Sequence, residues 1–397
     1  MRKEFFFVCS ALFLLVFGTY ISGTLLVPYA KTLGSTGMSI GIIYSCMYLV
    51  RLLLGTPIGR ISQKKGTKTM LTFSLILYPF IAIAYLVSWN IPSLIVARLL
   101  HGIASAMMLP MAMAYIGEVS PSEQEGRFMG IYNTILFIAS AAGPFVGGII
   151  YDTYGIRHAF LILFILALSS LFIILVFTKN NFSKNFNKAS TIDTRNTIKE
   201  NTLSELWRNK KLLALCSINI ATAILLALFG ASFTQLALSY NFSMGLIGLL
   251  IALNNIIIGI TQVPFGHFVD RHDKLKTMLV SGIVTCVLII FLPLVKNIWG
   301  VAILIAALGL FTALNLATST ALSAILGKEV GMGNTMGFLG SANSAGTVVG
   351  YLVLGGIADL FGLDNAFYFT GAVFLVGIIV FYLLWVNRSI FENCKCK

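Results

Sequence analysis

Charge is what this sequence has least of. Of its 397 residues 10% are Asp, Glu, Lys or Arg, where a soluble globular domain carries about 25%. Acids are the scarcer sign, with 14 Asp and Glu against 27 Lys and Arg, which leaves a net charge of +13. None lies deep in a long apolar run; Glu118, Asp152, Asp270 and Asp359 stand near the ends of theirs. This shortage excludes a surface that faces water throughout. The 58% of hydrophobic residues exceeds what one buried core absorbs, so lipid is the expected solvent. The pieces of catalytic sites are missing too. There is no nucleophile–base pair, no metal-ligand spacing and no nucleotide loop, so no enzyme, metal, cofactor or direct ATP coupling is expected. The 6 cysteines are scattered, with Cys9, Cys46, Cys216 and Cys286 in apolar runs and Cys394 and Cys396 in the tail. They form no disulfide framework, and the last four residues lack the aliphatics of a prenylation box.

What fills the chain instead is apolar runs of about 20 residues, long enough for helices that cross about 30 Å of hydrocarbon. In the first half they cover 5–30, 39–60, 69–88, 92–117, 127–151 and 158–178. In the second they cover 212–237, 245–267, 277–295, 298–326, 334–358 and 365–386. The first run is too long for a signal peptide and reads as a retained span. Barrel strands are excluded, because those are about 10 residues long and alternate sides. The fold class is therefore an all-α membrane protein with twelve transmembrane helices.

Basic residues test that count. Arg60, Lys64, Lys65 and Lys68 follow the second run, a group from Lys179 to Lys211 follows the sixth, and Arg271, Lys274 and Lys276 follow the eighth. The opposite ends carry only Lys31, Arg157 and Lys296. By the positive-inside rule both termini belong in the cytoplasm, beneath a plasma membrane. The net charge is then an orientation signal beside anionic lipid, and no nucleic-acid partner is implied. The polar stretch 179–211 reads as a cytoplasmic linker. A short amphipathic helix is expected around 203–213, where Leu203, Leu206 and Trp207 share a face. The domains are thus a six-helix bundle over 1–178, the linker, a second bundle over 212–388 and a tail over 389–397.

The two halves repeat each other at a fixed offset of 207 residues, as from Asp152 to Asp359. Pro57-Ile58-Gly59 falls on Pro264-Phe265-Gly266, Gly102 on Gly309, Gly126 on Gly333, and Met129-Gly130 on Met336-Gly337. Gly143 and Gly148 fall on Gly350 and Gly355, Gly155 on Gly362, and Ala159-Phe160 on Ala366-Phe367. Apolar matches arise by chance, whereas matched Gly, Pro and Asp do not. Parallel six-helix repeats with a midplane site between them are the plan of one large family of transporters.

The segment from Gly59 through Gln63, Lys64 and Gly66 to Lys68 resembles the loop signature G-x-x-x-D-[RK]-x-G-[RK]-[RK] of the major facilitator superfamily. Gly266 to Arg271 is a degraded copy, with Asp273 where Gly is expected. Arg98-Leu99-Leu100-His101-Gly102 is similar to the family's R-x-x-Q-G motif of helix 4. Gly143-Pro144-Phe145-Val146-Gly147-Gly148 looks like the G-P-x-x-G-G motif of drug and proton antiporters on helix 5. The resemblance covers the whole chain. It implies a monomeric secondary transporter with a conformational latch at Gly59, Gln63, Lys64, Gly66, Asp270 and Arg271. Gln63 replaces the acid of the signature, so the first copy is expected to latch more weakly and Asp270-Arg271 to carry more of the duty. The glycines of the helix 5 motif also permit close packing and a kink whatever the cargo.

Arg51 and Arg98 are the basic residues well inside spans, and each needs a partner or a water-filled cavity. Arg98 and His101 share a helix face and are expected to line the central cavity, with Arg51 in a structural hydrogen-bonding role. Further candidates for the cavity are Tyr20, Asn133, Gln235, Asn254, Asn315 and Asn343, together with Thr24 and Asn255. His101 is the one mid-membrane side chain that titrates in a useful range, which makes it the candidate proton carrier. The expected function is proton-coupled efflux of a small lipophilic compound by alternating access. Uptake or exchange of an anionic metabolite is the alternative, since an anion would supply the missing counter-charge to the arginines. A membrane sensor that has lost transport is a third.

Overall fold

The computed structural model describes residues 2–120, 125–178, 209–330 and 332–386. Most of the expected linker, the first six residues of its amphipathic segment and the tail lie outside the described residues. Among those described, 12 helices are long and apolar enough to cross a bilayer. The first bundle holds α1 Arg2–Thr24, α2 Gly37–Lys65, α3 Thr67–Leu86, α4 Ile91–Val119, α5 Glu125–Tyr154 and α6 Ile156–Phe177. The second holds α7 Lys210–Ser239, α8 Met244–Arg271, α9 Lys274–Leu294, α10 Ile298–Val330, α11 Met332–Phe361 and α12 Leu363–Val386.

Most of these helices overrun their apolar runs, because lipid length limits the runs whereas caps limit the helices. The Asn90 side chain accepts from Ser93 N at 2.8 Å, and the Ser93 hydroxyl accepts from Asn90 N at 3.2 Å, which starts α4 with a capping box. The side chains of Thr36, Ser243 and Asp273 accept backbone N–H groups at the starts of α2, α8 and α9 as simple N-caps. Asp273 thereby accounts for its place in the degraded loop copy. Gly66, its counterpart, turns between α2 and α3 at φ 84°, a conformation that suits glycine. Asp273 makes the matching turn at φ −64° and accepts from Leu275 N at 2.8 Å. The first run departs from expectation. It breaks at Leu25, and Leu26–Thr32 forms a separate short helix, because Pro28 has no N–H to give the carbonyl four residues back.

The helix pairings of the two halves correspond. In the first, α1 packs on α5 and α6, α4 on α2 and α3, and α3 on α6. In the second, α7 packs on α11 and α12, α10 on α8 and α9, and α9 on α12. The halves meet chiefly through α5 on α8 and α2 on α11, two contacts that the repeat interchanges. Large side chains such as Tyr78, Tyr132, Phe160, Phe367 and Phe374 fill the bundle interiors. Ile165, Phe172 and Leu175 on α6 stand exposed, as suits helices whose outer faces meet acyl chains.

Candidate functional site

An even number of spans puts residues 2 and 386 at one end of the molecule, here the terminal side, and the opposite end is the far side. On the far side the bundles touch backbone to backbone. A Cβ on Gly148 would run into the Met244 carbonyl, and one on Gly248 into that of Pro144. Across the other contact, a Cβ on Gly41 would meet the Tyr351 carbonyl and one on Gly355 that of Gly37. Small residues are what allow helices this close. The helix 5 motif thus has two faces. Gly148 meets α8, while Gly143 and Gly147 meet Tyr20 and Ile21 of α1. Pro144 adds a bond between the bundles. Lacking an N–H, it leaves the Ser140 carbonyl without its helical donor, and Asn255 Nδ2 of α8 donates to that carbonyl at 3.0 Å.

Two carboxylates close the far side. Asp359, near the end of α11, accepts from Gly37 N at 2.6 Å and Met38 N at 2.7 Å, at the start of α2. Asp152, near the end of α5, accepts from Met244 N at 3.1 Å and Gly245 N at 2.7 Å, at the start of α8. Each acid caps a helix of the opposite bundle, where unpaired N–H groups and the helix dipole favour an anion. Sequence reasoning missed this gate. Its signal was the pair of acids matched at the repeat offset.

Toward mid-membrane Tyr351 of α11 lies against Tyr44 and Tyr48 of α2, with ring centroids 5.0 and 5.7 Å apart. The Tyr351 hydroxyl reaches Gly230, in the single π turn Leu228–Ser232 of α7. Beyond this layer the bundles part. Gly55, Gly130, Gly266, Gly337 and Gly340, all on the terminal halves of the contact helices, have nothing within 4 Å of where a methyl group would stand. Among the described residues, the bundles meet on the far side and part on the terminal side.

The arginine and histidine of helix 4 are not in that opening. Arg98 is 3% exposed and His101 7%, both inside the first bundle among α2, α3 and α4. Arg98 Nε donates to the Ile43 carbonyl at 3.1 Å, and its guanidinium sits 4.7 Å from the centre of the Tyr44 ring. The Tyr85 side chain stands beside it. His101 Nδ1 is 3.0 Å from the Tyr85 hydroxyl, and Tyr78 meets the imidazole edge-on at 5.5 Å. This corrects the expectation of a cavity-facing pair. Aromatic side chains of α2 and α3 supply the company that a sequence-level view assigned to water or substrate. Through Tyr44, Arg98 backs the tyrosine layer between the bundles.

Arg51 does not show the hydrogen bonding expected of it. It makes no hydrogen bond among the described residues, and its one ring neighbour is Tyr48, 5.6 Å away. The other cavity candidates divide. Tyr20 is 42% exposed, Asn133 is exposed, and Asn254 and Asn343 are half-buried. Gln235 and Asn315 are buried, contrary to the expectation of a cavity lining, and neither amide atom of Asn315 has a hydrogen-bond partner among the described residues. Thr24 turns back to the Tyr20 carbonyl at 3.1 Å. Of the expected latch, Asp270 and Arg271 are exposed, while the side chains of Gln63 and Lys64 and the surroundings of Gly59 lie outside the described residues. The open terminal side is where such a latch would act.

Known proteins match this architecture. The family model of the Major Facilitator Superfamily matches residues 8–238 and 215–390. An uncharacterised MFS-type transporter of Methanocaldococcus jannaschii is 26% identical over 392 residues, which are 96% of this chain and 98% of that protein. The multidrug resistance protein MdtG of Proteus mirabilis is 26% identical, with 93% of this chain and 94% of that protein covered. The quinolone resistance protein NorA of Staphylococcus aureus is 24% identical, with 98% of each covered. The crystal structure of the nucleoside transporter NupG superposes with a TM-score of 0.77 at 14% identity, over 96% of this chain and 99% of that one. That of the human organic anion transporter MFSD10 gives 0.65, also at 14% identity and over 96% and 99% of the two chains. Those two likenesses speak for the fold alone. Twelve spans in two repeated bundles, together with a family match over nearly the full length, make this chain a multi-pass membrane transporter, not an enzyme, and a member of the major facilitator superfamily.

Proposed function

We propose that this protein exports small amphipathic compounds across the plasma membrane in exchange for protons, by alternating access of a site between its bundles. The similarity to MdtG and NorA over 93–98% of the chain carries this reading. The placement of Lys and Arg supports cytoplasmic termini, so the open terminal side is the face that would collect cargo from the cytoplasm. In this reading Tyr20, Tyr48 and Phe137, which packs beside Gly259 of α8, supply apolar and stacking contact, and Asn133, Asn254 and Asn343, each exposed or half-buried, supply hydrogen bonds. Such a lining holds a ligand by area and a few polar contacts. His101 is the group assigned to the proton. It touches Tyr85 and Tyr78, and a second conformer must admit water to it.

The test uses purified protein in proteoliposomes, with the inserted orientation measured by protease cleavage of a terminal tag. Export corresponds to uptake into the inside-out fraction, driven by an acidic lumen and lost when a protonophore collapses the gradient. Accumulation in the opposite direction, or uptake unaffected by the protonophore, overturns the proposal.

A further inference from the structure

The two mid-span arginines differ in one respect, and that difference marks a binding site. Arg98 is enclosed and partnered. Arg51 has none of these partners: no carbonyl, carboxylate or hydroxyl bonds its guanidinium among the described residues. A guanidinium carries five N–H donors in a planar fork. Holding it at this depth is unfavourable unless water or an anion completes it.

Its surroundings place it in the opening. On α2, Arg51 is three residues from Tyr48 and seven from Tyr44, so all three share the face that meets Tyr351. It stands one turn beyond the last of those contacts, where α2 and α11 part. Tyr20 of α1, itself partly exposed, lies within electrostatic reach of both Arg51 and Tyr48. Tyr78 and His101 also lie within electrostatic reach of Arg51. None is an acid. Among the described residues, the first bundle thus offers the cavity a fork of free donors, flanked by two phenols and with no acid beside it.

We propose that Arg51, with Tyr20 and Tyr48, is the docking point for a single carboxylate on the transported compound. A carboxylate fits because the planar fork bonds it through two parallel N–H···O contacts, while the phenol hydroxyls can donate to its remaining lone pairs. The amphipathic body of the cargo then lies toward α5 and the second bundle. The proposal rests on the central-site reading above, which it narrows to acid-bearing compounds. It does not depend on the direction of transport.

The experiment is ligand binding to the purified full chain in detergent, read by thermal shift and by titration calorimetry. The probes are naphthalene-1-acetate, the corresponding primary amide and the corresponding amine. The variants are Arg51→Gln, Arg51→Lys and, as a control for loss of a mid-span charge elsewhere, Arg98→Gln. Since Arg51 makes no hydrogen bond to lose, Arg51→Gln is expected to keep the wild-type elution profile and unliganded melting midpoint. Naphthalene-1-acetate should stabilise the wild type, and the amide and amine should not. Arg51→Gln should weaken acetate binding about tenfold or more, the scale of a lost charge-assisted pair of bonds. Arg51→Lys should recover part of it, keeping the charge and losing the fork. The proposal is overturned if the amide binds the wild type as tightly as the acid. It is overturned equally if Arg51→Gln binds the acid unchanged, or if no probe acid shifts the wild-type midpoint at millimolar concentration. A carboxylate that binds through Arg51 but moves inward would refute export and leave this site standing. Export of neutral compounds that ignores Arg51→Gln would do the reverse.

Discussion

If Asp152 and Asp359 hold the far side shut, then Asp152→Asn with Asp359→Asn should open it. Each carboxylate accepts two backbone N–H groups of a helix in the opposite bundle. Asparagine keeps one acceptor oxygen, loses the charge and turns an NH2 toward the second donor. Hydrogen bonds to charged groups are worth about 1.5–3 kcal/mol net, but both acids also touch solvent, which screens them. A loss of about 1 kcal/mol per site is therefore the working figure, below that range because solvent screens both acids. The sites sit on different helix pairs and should add, to about 2 kcal/mol, or about 30-fold in the ratio of far-side-open to far-side-closed molecules. The assay is a spin-label distance across the far side, from Trp89→Cys to Trp299→Cys, in a background with the native cysteines replaced. Both positions are exposed, at 75% and 74%. The double variant should gain a longer-distance population, and each single variant a smaller one. An unchanged distance distribution in the double variant would refute the gate.

Other consequences follow from the same contacts. Gly248→Ala puts a methyl group against the Pro144 carbonyl, which belongs to backbone and cannot swing aside; it should lengthen the same far-side distance, whereas Gly266→Ala, with open space around it, should not. Arg98→Lys loses the planar contact with Tyr44 and the bond to Ile43, and should lower the melting midpoint in detergent by the equivalent of about 1–3 kcal/mol without abolishing ligand binding. His101→Gln should leave ligand binding within about twofold, a change of under 1 kcal/mol, while removing the response of transport to an imposed pH gradient. Full gradient-driven transport by this variant would exclude His101 as the proton carrier.

The chain's overall plan was legible without coordinates because its causes are local and periodic. Hydrocarbon thickness fixes the length of each apolar run, Lys and Arg mark one side, and Gly143, Gly148, Asp152 and Gly155 recur as Gly350, Gly355, Asp359 and Gly362. Helix ends were less legible, because Asn90, Ser243 and Asp273 cap helices that continue past the apolar runs. The site was read least well. Arg51 and Arg98 look alike in sequence, each a lone base in an apolar span. What separates them is company from afar. Ile43, which bonds Arg98, lies 55 residues away, and no such neighbour reaches Arg51 among the described residues. Asp359 likewise became a gate only by meeting Gly37, 322 residues earlier. Sequence alone determined which residues must leave water and how often the chain crosses the membrane, since those depend on each segment's own free energy of transfer. Tertiary structure decided which buried polar groups are satisfied and which remain free to bind, since that depends on partners that only packing brings together.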